Sequence, residues 1–305
     1  MSSKPTLLYQ NFTSYCRIIK MTRKEKKMKT IFLDADGTLF HHKGYVPESA
    51  FEAIERAQKN GHKIVLCTGR QKTEIYGGME TIPYDAMIVG SGCCVIVKNE
   101  IVFDEGFDKD QLKFLIQYLH EHEIPATFES TQHIYGTKKT AEELENLKKI
   151  WCGHLDKEEY EKHGVVLMAN QVQVVEEEDL LQYPINKVSF METDLPYSFI
   201  NKDLSDQFHL VRSTFAPFGQ DGGESMDQKH SKASGIDIVQ KVMHLDPTDF
   251  ISIGDGDNDL AMFDKCAFNI AMENGTEEVK EKADYITTDL ENDGIYNAFE
   301  YLELI

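Results

Sequence analysis

Two acid-rich segments of this 305-residue chain each follow an apolar run. The first reads Ile31-Phe32-Leu33-Asp34-Ala35-Asp36-Gly37-Thr38. Thr30 to Leu33 reads as a buried parallel strand, and the acids and glycine after it as a sharp loop. Ligands of open α/β sheets bind outside the carboxyl ends of strands, so carboxylates there are well placed for chemistry. Residues two apart on an extended segment point to one side, so Asp34 and Asp36 are expected to address one substrate across the small Ala35. Gly37 permits a turn that a residue with a Cβ resists. The second segment, Phe250-Ile251-Ser252-Ile253-Gly254-Asp255-Gly256-Asp257-Asn258-Asp259, crowds short acids behind another apolar run. Buried acids are costly unless a cation neutralises them. A hard divalent cation does so, and Mg²⁺ is the usual partner of phosphate chemistry; a calcium loop would need longer, regular ligand spacing and a distal Glu.

Two further segments offer anion contacts. Val46-Pro47-Glu48-Ser49 opens a helix with Phe51, Ile54 and Ala57 on one face, ended by Asn60-Gly61. Lys63 to Cys67 is then a strand ending in Thr68-Gly69-Arg70. A right-handed crossover lays it parallel to the first strand, so Thr68 arrives at the edge that carries Asp34. A hydroxyl followed by Gly at a helix N-terminus suits a phosphate oxygen, although Thr-Gly also makes ordinary turns. Arg70 either reaches the substrate or braces the loop. His230-Ser231-Lys232-Ala233-Ser234-Gly235 leads into a helix whose first turn carries Lys232, which reads either as an anion anchor or as an ordinary exposed lysine.

Asp34-Ala35-Asp36-Gly37-Thr38 resembles the first motif of the haloacid-dehalogenase (HAD) superfamily. Thr68, Lys232 and the stretch from Gly254 to Asp259 are similar to its second, third and fourth motifs, in order across residues 30–305. The resemblance implies a two-step phosphoryl transfer. Asp34 is the nucleophile, and Asp36 protonates the leaving oxygen and later takes a proton from water. Mg²⁺ is held by Asp34, the Asp36 main-chain carbonyl and Asp255. Thr68, Gly69, Lys232 and Asn258 hold phosphate, and Asp259 supports the metal or holds Lys232. The chain departs from the pattern at Ser91-Gly92, where Asn-Gly is usual, and at Lys232-Ala233, where Lys-Gly is usual.

Alternating strands and helices on both flanks predict a doubly wound parallel α/β sheet, a Rossmann-like core over 28–107 and 220–305. Residues 108–219 change character. Amphipathic helices over 111–121, 141–152 and 156–163, with strands near 172–175, 187–190 and 209–211, read as an inserted α+β unit. Its position resembles the cap of the Cof-type (II-B) branch, which closes over the active site and selects the leaving group. His133, Tyr135, Trp151 and Arg212 are its candidate contacts, and Met272, Glu273 and Asn274 could border the core site. Gln220 to Gly223 reads as the return loop.

The formal net charge of -20 argues against a nucleic-acid surface or an anionic membrane. An anionic substrate must then be met by local cations and the metal. No run of about eighteen apolar residues exists, so no membrane span is expected. Six cysteines without C-x-x-C spacing read as reduced cytosolic thiols, which places the chain in the cytoplasm. Residues 1–27, ending in a basic run, are expected to form a loosely ordered extension. The sum is a Mg²⁺-dependent phosphatase for a small phosphorylated metabolite, a sugar phosphate or a phosphorylated cofactor. A phosphohexomutase, a sucrose- or trehalose-phosphate hydrolase and a non-catalytic Mg²⁺-binding module are the alternatives.

Overall fold

The computed structural model describes residues 27–213 and 215–305. The extension expected over 1–27 lies outside them, save Lys27, whose ammonium sits 2.9 Å from Asp249. Five strands open the described chain: β1 (Thr30–Leu33), β2 (Lys63–Cys67), β3 (Ala86–Val89), β4 (Cys94–Val97) and β5 (Glu100–Asp104). A second group follows: β6 (Ala126–Glu129), β7 (Ile134–Gly136), β8 (Val172–Val174), β9 (Lys187–Phe190), β10 (Phe208–Arg212) and β11 (Gly223–Asp227). The chain then returns through β12 (Phe250–Gly254), β13 (Phe268–Met272) and β14 (Tyr285–Thr287).

The larger sheet runs β14-β13-β12-β1-β2-β3-β4-β5. Its first six strands pair in parallel, and β4 and β5 form an antiparallel hairpin at one edge. Lys98 and Asn99 both take positive φ, 51° and 68°, as a two-residue hairpin turn requires. Alternate residues of β1 enter different cores. Ile31 and Leu33 pack with Ile54, Ala57 and Phe299 of helices Glu48–Lys59 and Gly294–Tyr301. Phe32 packs on the other face with Ile236 and Val239 of helix Lys232–Met243. Helices therefore cover both faces, which is why these strands are apolar throughout.

The smaller sheet runs β10-β11-β9-β6-β7-β8. One face carries Phe128, Val188, Phe190 and Phe208 into a core with Leu112, Leu115 and Leu119 of helix Lys109–Glu121 and Ile200 of helix Tyr197–Leu204. By the two-residue period the other face carries Thr127, Glu129, Lys187, Ser189 and Glu224. Here the return loop expected at 220–223 needs correction. Gly223–Asp227 is a strand antiparallel to β9 and β10, so the chain leaves the smaller sheet after Asp227. Gly-Glu-Ser-Met-Asp holds a single large apolar residue and so gives little strand signal. The connection between the sheets is pinned at Asp104, whose Oδ1 accepts from Thr131 Oγ1 at 2.8 Å and Asn186 Nδ2 at 2.9 Å. The five described cysteines are free thiols. Among the described residues no helix is long and apolar enough to cross a membrane.

Candidate active site

The parallel register sets Leu33 beside Ile253 on one flank and Leu66 on the other. Residues that follow β1, β2 and β12 therefore emerge along one edge. Asp34 extends the ladder by one bond, its N–H donating to Ile253 O at 3.0 Å, and its side chain is buried. Ser231 caps helix Lys232–Met243 and so fixes the direction of Lys232. Lys232 Nζ donates to Asp34 Oδ1 at 2.5 Å and to Asp259 Oδ1 at 2.6 Å. The other Asp259 oxygen accepts from the N–H groups of Asp255 and Gly256, at 2.9 and 3.0 Å. Asp259 thus holds Lys232 and shapes the loop. Thr38 Oγ1 donates to Asp255 Oδ1 at 3.0 Å, and Asn274 Nδ2 reaches Gly37 O at 2.9 Å. Gly37 has φ +84°, and a Cβ there would lie 2.1 Å from Asp255 Oδ2. This close approach is the reason for a glycine at that position.

Asp34, Asp255 and Asp259 present ligand atoms within 4.8 Å of one another. One ammonium faces these three carboxylates. Burial, then the charge of Asp259, pushes the Asp34 carboxyl well above the usual range against the pull of Lys232. Burial and Asp259 likewise push Asp255 up to about 6. Burial works against the Lys232 ammonium, but Asp259 and Asp34 outweigh it and hold it above its ordinary value. The cluster therefore carries more negative charge than Lys232 neutralises. An all-oxygen donor set with excess negative charge fits a hard cation.

Asp36 takes a different partner. β1 ends at Leu33, and the Ala35 carbonyl then accepts from the N–H groups of Thr38, Leu39 and Phe40. Asp36 itself bridges to Phe40, and the turn lies over residues 37–39. The Asp36 carboxylate is gripped by Arg70, Nε to Oδ2 at 2.8 Å and Nη2 to Oδ1 at 2.7 Å. Arg70 also donates to Glu74 O at 2.8 Å and lies over the rings of Phe40 and Tyr76. These contacts tie Arg70 into the loops around Asp36. Thr68 is buried, and its Oγ1 accepts from Arg70 N at 3.0 Å. A Cβ on Gly69 would lie 3.3 Å from Ser91 Oγ, so the loop that departs from Asn-Gly still abuts the Thr68-Gly69 turn. Asn258 is exposed on the turn Asp257–Asp259.

The expected cap contacts lie elsewhere. Tyr135 stacks on Tyr183 in the core of the smaller sheet, Arg212 lies over Tyr197, and Trp151 is on the surface. Lys187 of the smaller sheet reaches the segment after β2, its Nζ 3.3 Å from Glu74 Oε2. Its signal was the Lys-Val-Ser-Phe alternation, which buries Val188 and Phe190 on one face and turns Lys187 to the other.

A family model for haloacid dehalogenase-like hydrolases matches residues 31–299. The Bacillus subtilis (strain 168) 5-amino-6-(5-phospho-D-ribitylamino)uracil phosphatase YwtE is 21% identical over 287 residues, covering 88% of this chain and 96% of that protein. Phosphatase YwpJ of the same organism is 22% identical over 289 residues, covering 90% of this chain and 100% of its own. Among solved structures, the HAD subclass IIB sugar phosphatase BT4131 shares the fold at a TM-score of 0.74 and 24% identity, over 91% of this chain and 100% of that one. The phosphatase BT1666 of Bacteroides thetaiotaomicron does so at a TM-score of 0.74 and 21% identity, over 93% and 98%. The four motifs, the two-sheet architecture and these matches converge: the chain belongs to the haloacid dehalogenase-like hydrolases, and its curated relatives YwtE and YwpJ are phosphatases.

Proposed function

We propose that the chain is a Mg²⁺-dependent phosphatase that hydrolyses a small phosphomonoester through an aspartyl phosphate. The observation that carries this reading is Asp34 at a buried strand end, 2.5 Å from Lys232 and clustered with Asp255. An Asp34 oxygen attacks phosphorus as the bond to the leaving oxygen breaks. Asp36 gives its proton to that oxygen. A water then attacks the aspartyl phosphate, passes its proton to Asp36, and inorganic phosphate leaves with Asp34 restored. Arg70 occupies both Asp36 oxygens, so the carboxyl must turn from it and take up a proton from solvent before it serves the leaving oxygen. Lys232, Thr68 and the N–H groups of the Gly69 turn neutralise phosphate oxygens, a service worth about 3–4 kcal/mol per donor in well-studied sites. Asp34, the Asp36 carbonyl and Asp255 would hold Mg²⁺, which offsets repulsion between an anionic nucleophile and an anionic phosphate.

The smaller domain, inserted between the second and third motifs, is assigned leaving-group selection. The ribityl phosphate in the name of YwtE and the sugar phosphates in that of BT4131 favour a phosphorylated polyol or sugar. The test is hydrolysis of an aryl phosphate with Mg²⁺ by wild type and Asp34→Asn. Turnover should fall by about 10³-fold or more, as for removal of other covalent nucleophiles, with the fold retained by circular dichroism. Residual turnover within tenfold of wild type would refute the nucleophile.

A further inference from the structure

The turn that follows β13 clasps both acid-bearing loops, and no step of the proposed reaction uses it. Met272 ends the strand, and Glu273 to Thr276 lead the chain into helix Glu277–Lys282. Thr276 ties this turn to the second acid-rich segment. Its N–H donates to Asp255 O at 2.9 Å, and its Oγ1 donates to Asp257 Oδ1 at 2.6 Å. A Cβ on Gly275 would lie 3.0 Å from Asp255 O, so the two loops are in close contact.

Asn274 reaches further. Its Nδ2 donates to Gly37 O at 2.9 Å and to Asp255 Oδ2 at 3.4 Å. Its Oδ1 accepts from Leu290 N at 3.3 Å, which sets the amide with its nitrogen toward the first two groups. One side chain thus joins the loops after β1 and β12, the two that carry the proposed metal ligands. Gly37 O lies one residue beyond the Asp36 carbonyl. Thr38 Oγ1 meets the other oxygen of Asp255 at 3.0 Å, so Thr38 and Asn274 together hold both oxygens of that carboxylate.

Asn274 is exposed, and water competes for its N–H groups, so these bonds add little to stability. What they supply is direction. A carboxylate already turned to its place need not be ordered when a cation arrives, and that ordering cost stays out of binding. An amide nitrogen has two N–H groups, and Gly37 O and Asp255 Oδ2 take both, which leaves none for a phosphate oxygen.

Resting on the Mg²⁺-phosphatase reading, we propose that Asn274 is a positioning residue of the metal site. Its amide clamps the Gly37 loop to Asp255 and so sets the affinity for Mg²⁺, without touching substrate.

The test titrates Mg²⁺ into metal-stripped wild type, Asn274→Ala and Thr276→Ala by calorimetry at pH 7.5. Asn274→Ala should weaken Mg²⁺ binding by about 10- to 100-fold, the scale of a lost outer partner of a metal ligand. Its metal-free Tm should fall by about 2 °C or less, the scale of exposed hydrogen bonds in a chain of this size. Thr276→Ala loosens the same turn but leaves the amide, and should bind Mg²⁺ like wild type. Hydrolysis of an aryl phosphate gives a second readout. The rate lost in Asn274→Ala should return as Mg²⁺ is raised to saturation, with KM for the ester unchanged. Equal Mg²⁺ affinity in wild type and Asn274→Ala overturns the proposal and spares the phosphatase. An equal weakening in Thr276→Ala makes the turn, not the amide, responsible and overturns it too, as does a rate loss that persists at saturating Mg²⁺. If Asn274→Ala fails to fold, Asn274→Ser, too short to span both loops, takes its place in the titration. Misfolding of both variants would make Asn274 a structural residue and end the proposal. Wild type that neither binds Mg²⁺ nor hydrolyses the ester sinks the phosphatase reading and this inference with it.

Discussion

At the scale of single residues, the site is a problem of buried charge. Lys232 is buried between Asp34 and Asp259. Lys232→Ala strands both carboxylates and should destabilise the fold by about 3–5 kcal/mol at neutral pH. The loss should be smaller at pH 5, where carboxyls with raised pKa take up protons; chemical denaturation at both pH values measures it. Glu129 yields a second prediction. Its folded pKa of about 7 exceeds the ordinary 4.5, so between those values the folded chain binds the proton more tightly than the unfolded one. Its contribution is full below pH 4.5 and is lost as pH rises through 7. Glu129→Gln should therefore flatten the fall in Tm between pH 5 and 7.5; an undiminished slope would place the titration elsewhere. These residues differ in legibility. Asp34, Gly37, Thr68, Lys232 and Asp255 stand next to strand ends or a helix start, so local pattern pointed to them. Glu74, Glu129, Lys187 and Glu224 meet only through tertiary packing, and each alone reads as an ordinary surface charge.

At the scale of elements, the core strands were plain because both faces of the larger sheet are covered and their sequences are apolar throughout. β1 and β2 were read at their bounds for that reason. The smaller sheet shows one polar face, and its short strands hide among turns. β6, β7 and β11 gave no period long enough to count. Helix Lys138–Cys152 begins three residues before its expected start because Thr137 caps it, accepting from Thr140 N. Asp104, the last residue of β5, ties this less legible unit to the core. Thr131 and Asn186, both buried, donate to one of its oxygens. Asp104→Ala leaves both donors without that acceptor and should cost about 1–3 kcal/mol. Asp104→Asn, which retains one oxygen, should cost less. Urea midpoints of the two variants test the ranking, and equal losses would deny the acceptor its role.

At the scale of the whole molecule, a formal net charge of -20 repels phosphate and attracts divalent cations. The site concentrates both effects. Asp255 is pushed up to about 6 from 3.8 by burial first and then by Asp259. Without metal, the folded state holds that proton more tightly than the unfolded one across this window. Stability from this group is full below pH 3.8 and lost as pH rises through 6. Mg²⁺ and the proton compete for one cluster of oxygens, so the cation should bind well only above that range. Mg²⁺ at about a hundred times its dissociation constant contributes roughly 2.7 kcal/mol through mass action. For a chain of this size that is about 4 °C in Tm. The rise should appear at pH 7.5, shrink at pH 5, and vanish in Asp255→Asn at both. Gly37→Ala should abolish it too, since its Cβ would enter the space of Asp255 Oδ2. A rise of equal size at both pH values, or one that survives Asp255→Asn, would move the cation to another part of this acidic surface. The reading of Asp34 and Asp255 as partners in one metal site would then fail.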